Sequence, residues 1–122
     1  MSDCCAVNAQ GMAVGVSLVS GNSALTIGVT GTGTKRTITL TVSGTGFFLL
    51  DMWLIDDATE PGVESLVVPS DTGATRWKEV AKTSGSSSVF SFDIDHSGAA
   101  KTWYLAASLG GKITVSTALA FT

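Results

Sequence analysis

The sequence predicts an all-β protein, folded as a single β-sandwich of about seven to nine short antiparallel strands. Charged residues make up only 14% of the 122 residues, against a usual share of about 25%. Thr, Ser and Gly must therefore form much of the surface, and these residues suit strands and turns. Apolar and polar residues also alternate in short segments that end at Gly, Ser or Pro. We expect one sandwich domain over residues 23–122, after an N-terminal arm or edge strand over residues 1–22.

Three segments in the first half of the chain predict strands. ALTIGVTGTG, residues 24–33, combines β-forming residues with a glycine turn. RTITLTVSGTG, residues 36–46, alternates apolar residues with threonines, which indicates a half-buried strand. FFLLDMWLIDD, residues 47–57, is apolar on both faces. It is therefore expected to be a central strand, or one covered on its outer face by an arm or a partner chain.

The middle of the chain predicts less regular structure. DDATEPGVES, residues 56–65, is a polar loop with a Pro-Gly turn, and VESLVVPS, residues 63–70, is a short strand that Pro69 ends. ATRWKEVAK, residues 74–82, can form one or two helical turns but is too short for a stable independent helix. Trp77 is the only aromatic residue of this polar stretch, so we expect it to be exposed and to contact a partner.

The last third of the chain predicts three strands. SVFSFDID, residues 88–95, alternates apolar and polar residues, and KTWYLAASL, residues 101–109, follows it after a short turn. GKITVSTALAF, residues 111–121, is expected to be the final strand. Gly110 and Gly111 between the last two strands favour a tight hairpin, because both glycines accept the backbone angles that such a turn requires.

Asp93, Asp95 and His96 are the residues best suited to a catalytic or metal site, since His96 is the only histidine. Calcium needs six or more oxygen ligands, and no loop supplies a spaced set. A Ser-His-Asp triad lacks a serine in a nucleophile-elbow context. We therefore interpret residues 95–98 as a turn in which Gly98 supplies backbone freedom, and we predict no catalytic, cofactor-binding or metal-binding residue. Whether Asp93 and Asp95 bind a cation stays open.

Charge and hydropathy narrow the classes of partner. Seven basic and ten acidic residues give a net charge of −3, so no basic face suits nucleic acid. No apolar run approaches the roughly 18 residues of a membrane helix. Asp3, with no basic segment, stands ahead of the first apolar stretch, which is not typical of a secretory signal. We expect synthesis in a cytoplasm, with Cys4 and Cys5 as free thiols.

Three ordered motifs over residues 36–121 carry a resemblance to a known family. They are RTITLTVSGTG, a tryptophan-containing strand that ends in MWLID before an acidic turn, and FSFDIDHSGAAKTWYLAASLGGKITVSTALAF. This order resembles small virion structural proteins of tailed bacteriophages. The resemblance implies an immunoglobulin-like sandwich, although the Cys-Trp-Cys framework of antibody domains is missing. Because the shared motifs are strand and turn features, the resemblance carries over no functional residue.

The resemblance implies a sandwich that decorates or cements a capsid, or that forms part of a tail or fibre. The first hypothesis is a non-enzymatic capsid decoration or cement protein. Such a protein would bind and stabilise the shell of the major capsid protein as an oligomer on the capsid surface, after assembly in the host cytoplasm and without a cofactor. We expect its partners to be the major capsid protein and copies of itself. The apolar segment MAVGVSLV, residues 12–19, could add as a strand to a neighbour. The candidate partner contacts are Trp77, Met12, Val14, Val16 and Leu18.

Two other hypotheses belong to different functional classes. The chain could be a tail or fibre module that binds host-surface glycans, with Trp77 stacking on a sugar ring. It could also be a hydrolase or metal-dependent enzyme centred on Asp93, Asp95 and His96. In the second case His96 would serve as the base, whereas a turn histidine would contribute little to stability.

Overall fold

The computed structural model describes residues 24–44, 46–83 and 87–122. These residues form eight antiparallel strands and no helix. The all-β prediction is confirmed. The strands are β1 (Ala24–Thr30), β2 (Lys35–Ser43), β3 (Gly46–Ile55), β4 (Arg76–Thr83), β5 (Ser87–Asp95), β6 (Lys101–Leu109), β7 (Lys112–Val115) and β8 (Leu119–Phe121).

The strands form two antiparallel sheets that pack face to face. The first sheet has the order β1-β2-β5, and the second has the order β4-β3-β6-β7, with β8 also paired to β6. Immunoglobulin-like sandwiches place strands A, B and E in one sheet and strands C′, C, F and G in the other. The two antiparallel sheets confirm the predicted β-sandwich.

The core lies between the sheets and follows from the alternation along each strand. On β2, Ile38, Leu40 and Val42 are fully buried, while the threonines between them lie on the outer face. Trp103 and Leu105 of β6 are also fully buried in this core. Burial of one such aliphatic side chain contributes about 1.5–3 kcal/mol, so the two alternating inner faces supply most of the driving force for folding.

A bend at two glycines joins the sheets and determines which strands are outermost. Gly44 and Gly46 have φ angles of 107° and 122°, which side chains rarely allow. The paired strands bend beside them, since Ser43 pairs with Ser87 in the first sheet and Gly46 pairs with Thr83 in the second. Within the described residues β4 and β5 are therefore edge strands, and they flank the same opening between the sheets.

The end of the outer face of β3 is covered by the chain itself. The ring nitrogen of Trp53 donates a hydrogen bond to the carbonyl of Pro61 at 2.7 Å, and Ile55 beside it is fully buried. The Arg76 guanidinium lies over the Trp53 ring, 4.9 Å from its centroid, and pairs with Glu64 at 2.9 Å. The prediction of a central strand is confirmed, since β3 lies between β4 and β6. The loop after β3 covers the end of its outer face around Trp53 and Ile55, whereas Leu49 on the same face is exposed.

The helical turns expected over residues 74–82 are wrong, because Arg76–Thr83 is strand β4. Trp77 pairs with Met52 of β3 and shares its inward direction. Pairing along a full strand outweighs the weak local preference of a short polar segment for a helix.

Two strand predictions also need correction. Residues 63–70 form no strand, and only Glu64 makes an isolated bridge, to Ile55. GKITVSTALAF is two strands, β7 and β8, separated by a bulge in which one extra residue faces β6. At the bulge, the hydroxyl of Ser116 accepts a hydrogen bond from the backbone N–H of Leu105 at 2.9 Å. The serine side chain thus replaces a missing ladder bond, which allows the strand to be interrupted.

We expect Leu105→Ala to lower the free energy of unfolding by about 2–5 kcal/mol, because it leaves a cavity between the sheets. Val80→Ala on β4 is the matched control. Its side chain is 63% exposed, so its change should stay within about 0.5 kcal/mol. Urea denaturation followed by tryptophan fluorescence measures both. Equal losses in the two variants would contradict the assignment of Leu105 to the core.

Candidate functional site

A long ordered connection, here called the β3–β4 loop (residues 56–75), is the main irregular feature of the described chain. Structureless loops longer than about 12–15 residues are uncommon in compact domains and are usually functional. Side chains of the sandwich hold both halves of this loop at fixed points. The loop is therefore a surface of defined shape.

His96 is the first of these fixed points and is buried at the turn after β5. Its Nδ1 accepts a hydrogen bond from the backbone N–H of Ser70 at 3.0 Å, so the ring proton belongs on Nε2, which donates to the carbonyl of Ala99 at 2.7 Å. The ring also packs edge-on against Trp103, with centroids 4.9 Å apart. His96 thus joins the loop, the turn and the core.

Backbone and hydroxyl groups extend this attachment. The hydroxyl of Ser70 accepts hydrogen bonds from the N–H groups of Ser97 at 2.9 Å and Gly98 at 3.1 Å. Thr72 accepts at its hydroxyl from the N–H of Asp95 at 2.6 Å, and its own N–H donates to the Asp95 carbonyl at 3.1 Å. These reciprocal bonds fasten the second half of the loop to the turn that follows β5.

The role predicted for Gly98 is also corrected. Gly98 is not among the glycines with positive φ. A Cβ at this position would lie 3.0 Å from Cε1 of the His96 ring, which is too close without a shift of the ring. The turn therefore needs glycine because the buried histidine approaches its backbone.

Ser65 and Trp103 hold the first half of the loop. The Trp103 ring nitrogen donates to the Ser65 hydroxyl and to the Val67 carbonyl, each at 3.2 Å. The Ser65 hydroxyl donates in turn to Asp56 Oδ1 at 2.9 Å, and the Ser65 N–H donates to the carbonyl of Leu54 at 2.7 Å. A fully buried tryptophan of the core therefore fixes the backbone on both sides of Leu66.

The segment between Ser65 and Ser70, together with Val63 just before it, carries exposed apolar side chains, here called the loop patch (Val63, Leu66, Val67 and Val68). Leu66 is 96% exposed, and the three valines are also exposed. Exposed apolar side chains gathered on one surface are typical of binding sites. A patch that is already ordered loses little conformational entropy when a partner binds.

The rim of the loop patch is acidic. The hydrogen bond from Lys101 holds the pKa of Asp56 below its usual value, with the Lys101 Nζ 2.6 Å from Oδ1. Hydrogen bonds from the hydroxyl and N–H of Thr59 likewise lower the pKa of Asp57. These carboxylates are ionised at neutral pH, and Glu60 beside them is exposed. A complementary partner would therefore offer an apolar pocket with basic groups at its rim.

A second exposed apolar surface lies on the outer face of the second sheet and is here called the sheet patch (Phe47, Leu49, Val80 and Ile113). Leu49 and Val80 are direct cross-strand partners. This surface lies beyond the part of the sheet that the β3–β4 loop covers. Neither patch is predicted from the sequence. The pattern of residues 63–70 predicts a strand, which hides the loop patch, and that of residues 74–82 predicts helical turns, which hides the pairing of Val80 with Leu49.

An open cleft of about 440 Å³ lies between the sheets where β4 and β5 are their edges, and is here called the edge cleft. Trp77 of β4 is half-buried, and its ring lies 5.0 Å from that of Phe92 on β5. Leu40 and Met52 line the interior. Trp77 is thus less exposed than the sequence predicted, but it does border an opening of the size that ligands occupy.

Asp93 and His96, which belong to the hypothetical enzyme site, have side chains in different surroundings. Asp93 Oδ1 accepts a hydrogen bond from the Thr37 hydroxyl at 2.7 Å, and Oδ2 pairs with Lys35 at 3.3 Å on the outer face of the first sheet. The Thr37 hydrogen bond, followed by that of Lys35, lowers the pKa of Asp93. His96 instead faces the core. Among the described residues, no three His, Cys, Asp or Glu side chains are grouped to hold a metal ion.

The remaining predicted contacts, Met12, Val14, Val16 and Leu18, lie outside the described residues, as do Cys4 and Cys5. The described residues contain no helix that is long and apolar enough to cross a membrane. Comparisons with protein-family models, with curated proteins and with solved structures give no match. The function must therefore be inferred from the chain's own surfaces.

We expect His96→Ala to lower the free energy of unfolding by about 2–4 kcal/mol, since it removes a buried ring and leaves the Ser70 N–H without its acceptor. Ser97→Ala at the exposed neighbouring position is the control, with an expected change within about 0.5 kcal/mol. Urea denaturation compares the two variants. If both changes are equally small, His96 is an ordinary turn residue.

Asp56 should contribute stability that depends on pH. Its pKa in the folded protein is lower than the ordinary value of 3.8, so its contribution is present above that value and is lost as the pH falls through the folded-state pKa. Asp56→Asn should therefore lower the melting temperature at pH 7, by an amount that corresponds to at most about 1 kcal/mol because the pair is partly exposed.

The difference in melting temperature between the wild type and Asp56→Asn should vanish below the folded-state pKa of Asp56, where the wild-type carboxyl is also neutral. It should also shrink in concentrated salt, which screens exposed pairs. Calorimetry over a pH series measures it. A difference that is constant over the whole series would contradict the role given to the Lys101 pair.

Proposed function

We propose that this protein is a non-enzymatic virion structural protein of a tailed bacteriophage, a capsid decoration or cement protein that binds the shell of the major capsid protein. The observation that carries the proposal is the loop patch. It presents Leu66 with 96% of its surface exposed, between the hydroxyl of Ser65 and the carbonyl of Val67, which both accept from the Trp103 ring nitrogen. An ordered apolar patch of this kind favours a protein partner with a matching pocket.

The acidic rim adds specificity to this proposed contact. Charges around an apolar centre steer association and exclude wrong partners more than they add affinity. The carboxylates of Asp56 and Asp57 are ionised and lie at the start of the loop, where Asp56 contacts Ser65 and is also paired with Lys101. The proposed shell site is therefore apolar at its centre and basic at its edge.

The outer face of the first sheet also suits a densely packed assembly. Thr37, Thr39 and Thr41 of β2 line it, and the Thr39 hydroxyl lies 3.0 Å from that of Ser91 on β5. Such a surface carries short side chains and few ions, so neighbours can approach closely without burying unpaired charges. This feature supports the resemblance in sequence to small virion proteins.

A tail or fibre module that binds host-surface glycans remains the second candidate. The specific observation in its favour is the edge cleft, where Trp77 lies beside the polar side chains of Lys78, Glu79 and Ser91. An aromatic ring next to hydrogen-bonding groups is the usual arrangement for sugar binding. Binding of the wild-type protein on a glycan array, without binding to capsids, would favour this candidate.

We expect the double variant Val63→Glu/Leu66→Glu to bind capsids at least about tenfold more weakly than the wild type, because it places charges in a desolvated apolar contact. Both side chains are exposed, so the fold should be retained. The measurement is co-sedimentation of purified protein with capsids that lack it. Val80→Glu is the control, because Val80 is an apolar residue of β4 that is 63% exposed and lies outside the loop patch; it should bind as the wild type does.

Normal capsid binding by the loop-patch variant would contradict the proposed docking surface. Absence of binding by the wild type would contradict the decoration function itself. Electron microscopy of the source phage with an antibody against this protein provides a second measurement. Label over the head supports a decoration protein, label confined to the tail supports the glycan-binding module, and unlabelled particles overturn both.

A further inference from the structure

The free edge of β5 lacks the features that usually prevent strands from adding to a sheet. Natural edge strands are protected by lysines, prolines, bulges or a covering segment. Within the described ranges, the stretch Val89–Phe92 has none of these, and the acidic residues of the strand, Asp93 and Asp95, come only at its end. In the described chain no strand pairs with β5 on the side away from β2. This edge is suited to accept a further strand.

The edge cleft gives such a strand an apolar place for its side chains. Phe90 and Phe92 on β5 face Trp77 on β4 across the opening, with Leu40 and Met52 behind them. The volume of about 440 Å³ is in the range of cavities that bind ligands, roughly 300–1,000 Å³. A strand placed along β5 would therefore gain backbone hydrogen bonds and apolar contacts together.

The chain contains a segment with the matching pattern. MAVGVSLV, residues 12–19, is uncharged and contains no proline. In an extended conformation, the face with Met12, Val14, Val16 and Leu18 is apolar throughout, and the opposite face begins with Ala13, Gly15 and Ser17. One face fits the apolar interior of the cleft, and the other continues the small, polar outer face of the first sheet.

The segment is better supplied by a second copy than by the same chain. Ala24 pairs with Ser43, and Ser43 pairs with Ser87, so a strand beyond β5 lies three strand spacings from Ala24, or about 14 Å. The link from Val19 to Ala24 spans at most about 17 Å, so within one chain it would reach this position only when almost fully extended. It would also have to pass around the bend at Gly44 at the same end of the sheet. An arm from another copy has no such restriction.

We propose that residues 12–19 of one copy bind in the edge cleft of a second copy, as an added strand along β5. This inference rests on the proposed decoration function, together with the expectation from the sequence that such a protein has copies of itself as partners. It identifies the contact between those copies. It also assigns Trp77 and the arm residues to the two sides of one interface.

Two variants of the full chain block opposite sides of this interface. Val14→Lys/Val16→Lys places charges on the apolar face of the arm, and Val89→Lys/Ser91→Lys places them on the free edge of β5. Each variant alone should self-associate at least about tenfold more weakly than the wild type in sedimentation velocity over a concentration series. Both carry added lysines, so no new attraction between opposite charges arises when they are combined.

The equimolar mixture of the two variants is the decisive measurement. The edge variant keeps an intact arm, and the arm variant keeps an intact cleft, so the mixture should form a complex of one chain of each. Recovery of association in the mixture also shows that both variants are folded. If Val89→Lys/Ser91→Lys fails to fold by circular dichroism, Ser91→Lys alone takes its place, because this side chain is exposed.

The matched controls carry lysines at neighbouring positions outside the proposed contact. Thr26→Lys/Thr30→Lys changes the other edge strand of the same sheet, and Ala13→Lys/Ser17→Lys changes the opposite face of the arm. Both controls should associate as the wild type does. Equal losses in the controls, a mixture that stays monomeric, or a wild type that is monomeric at every concentration would overturn the inference. A wild type that is monomeric at every concentration includes the case in which the arm binds the cleft of its own chain.

Failure of this inference and failure of the proposed function can be told apart. Capsid binding is tested through Val63 and Leu66, whereas association of copies is tested in the purified protein without capsids. Loss of the arm contact with normal capsid binding overturns only this inference. Normal recovery in the mixture without capsid binding overturns only the decoration function.

Discussion

The position of the β3–β4 loop on the sandwich depends on one buried hydrogen bond, from the backbone N–H of Ser70 to Nδ1 of His96. A buried N–H without a partner is costly, and a histidine ring packed on aromatic residues can accept only in one tautomer. The carbonyl of Ala99 fixes that tautomer by accepting from Nε2. Because His96 also donates its own N–H to the carbonyl of Thr34 at 2.8 Å, a single residue connects the first sheet, the β3–β4 loop and the turn before β6.

This arrangement explains how a loop can display apolar residues without collapsing onto the sandwich. Apolar side chains on a mobile loop would fold back onto nearby apolar surface, because that removes them from water. Here Ser65, Ser70 and Thr72 satisfy backbone groups at defined positions. The backbone cannot move toward the core without losing these bonds, so Leu66 stays in solvent. Polar contacts beneath the loop thus maintain an apolar surface above it.

Much of the fold could be predicted from local pattern. The threonines of β2 alternate with buried Ile38, Leu40 and Val42, and Gly110 and Gly111 have the positive φ angles, 60° and 84°, that their hairpin requires. These features depend on neighbours in sequence or on the period of a strand. Residues 74–82 could not be assigned in this way, because their strand conformation comes from pairing with β3. The binding surfaces were equally hidden, since His96 and Ser70 are 26 residues apart in the chain.

The position of His96 has a consequence for the order of folding. Ser70 belongs to a loop that follows β3, whereas its acceptor belongs to the turn between β5 and β6, so the loop cannot dock before most of the strands have been made and paired. Contacts between distant segments form late, because the intervening chain must first be ordered. The loop patch therefore takes its final shape only in a chain that has completed both sheets. If the proposed function is correct, an assembly that recognises this surface would bind finished subunits and not incomplete chains.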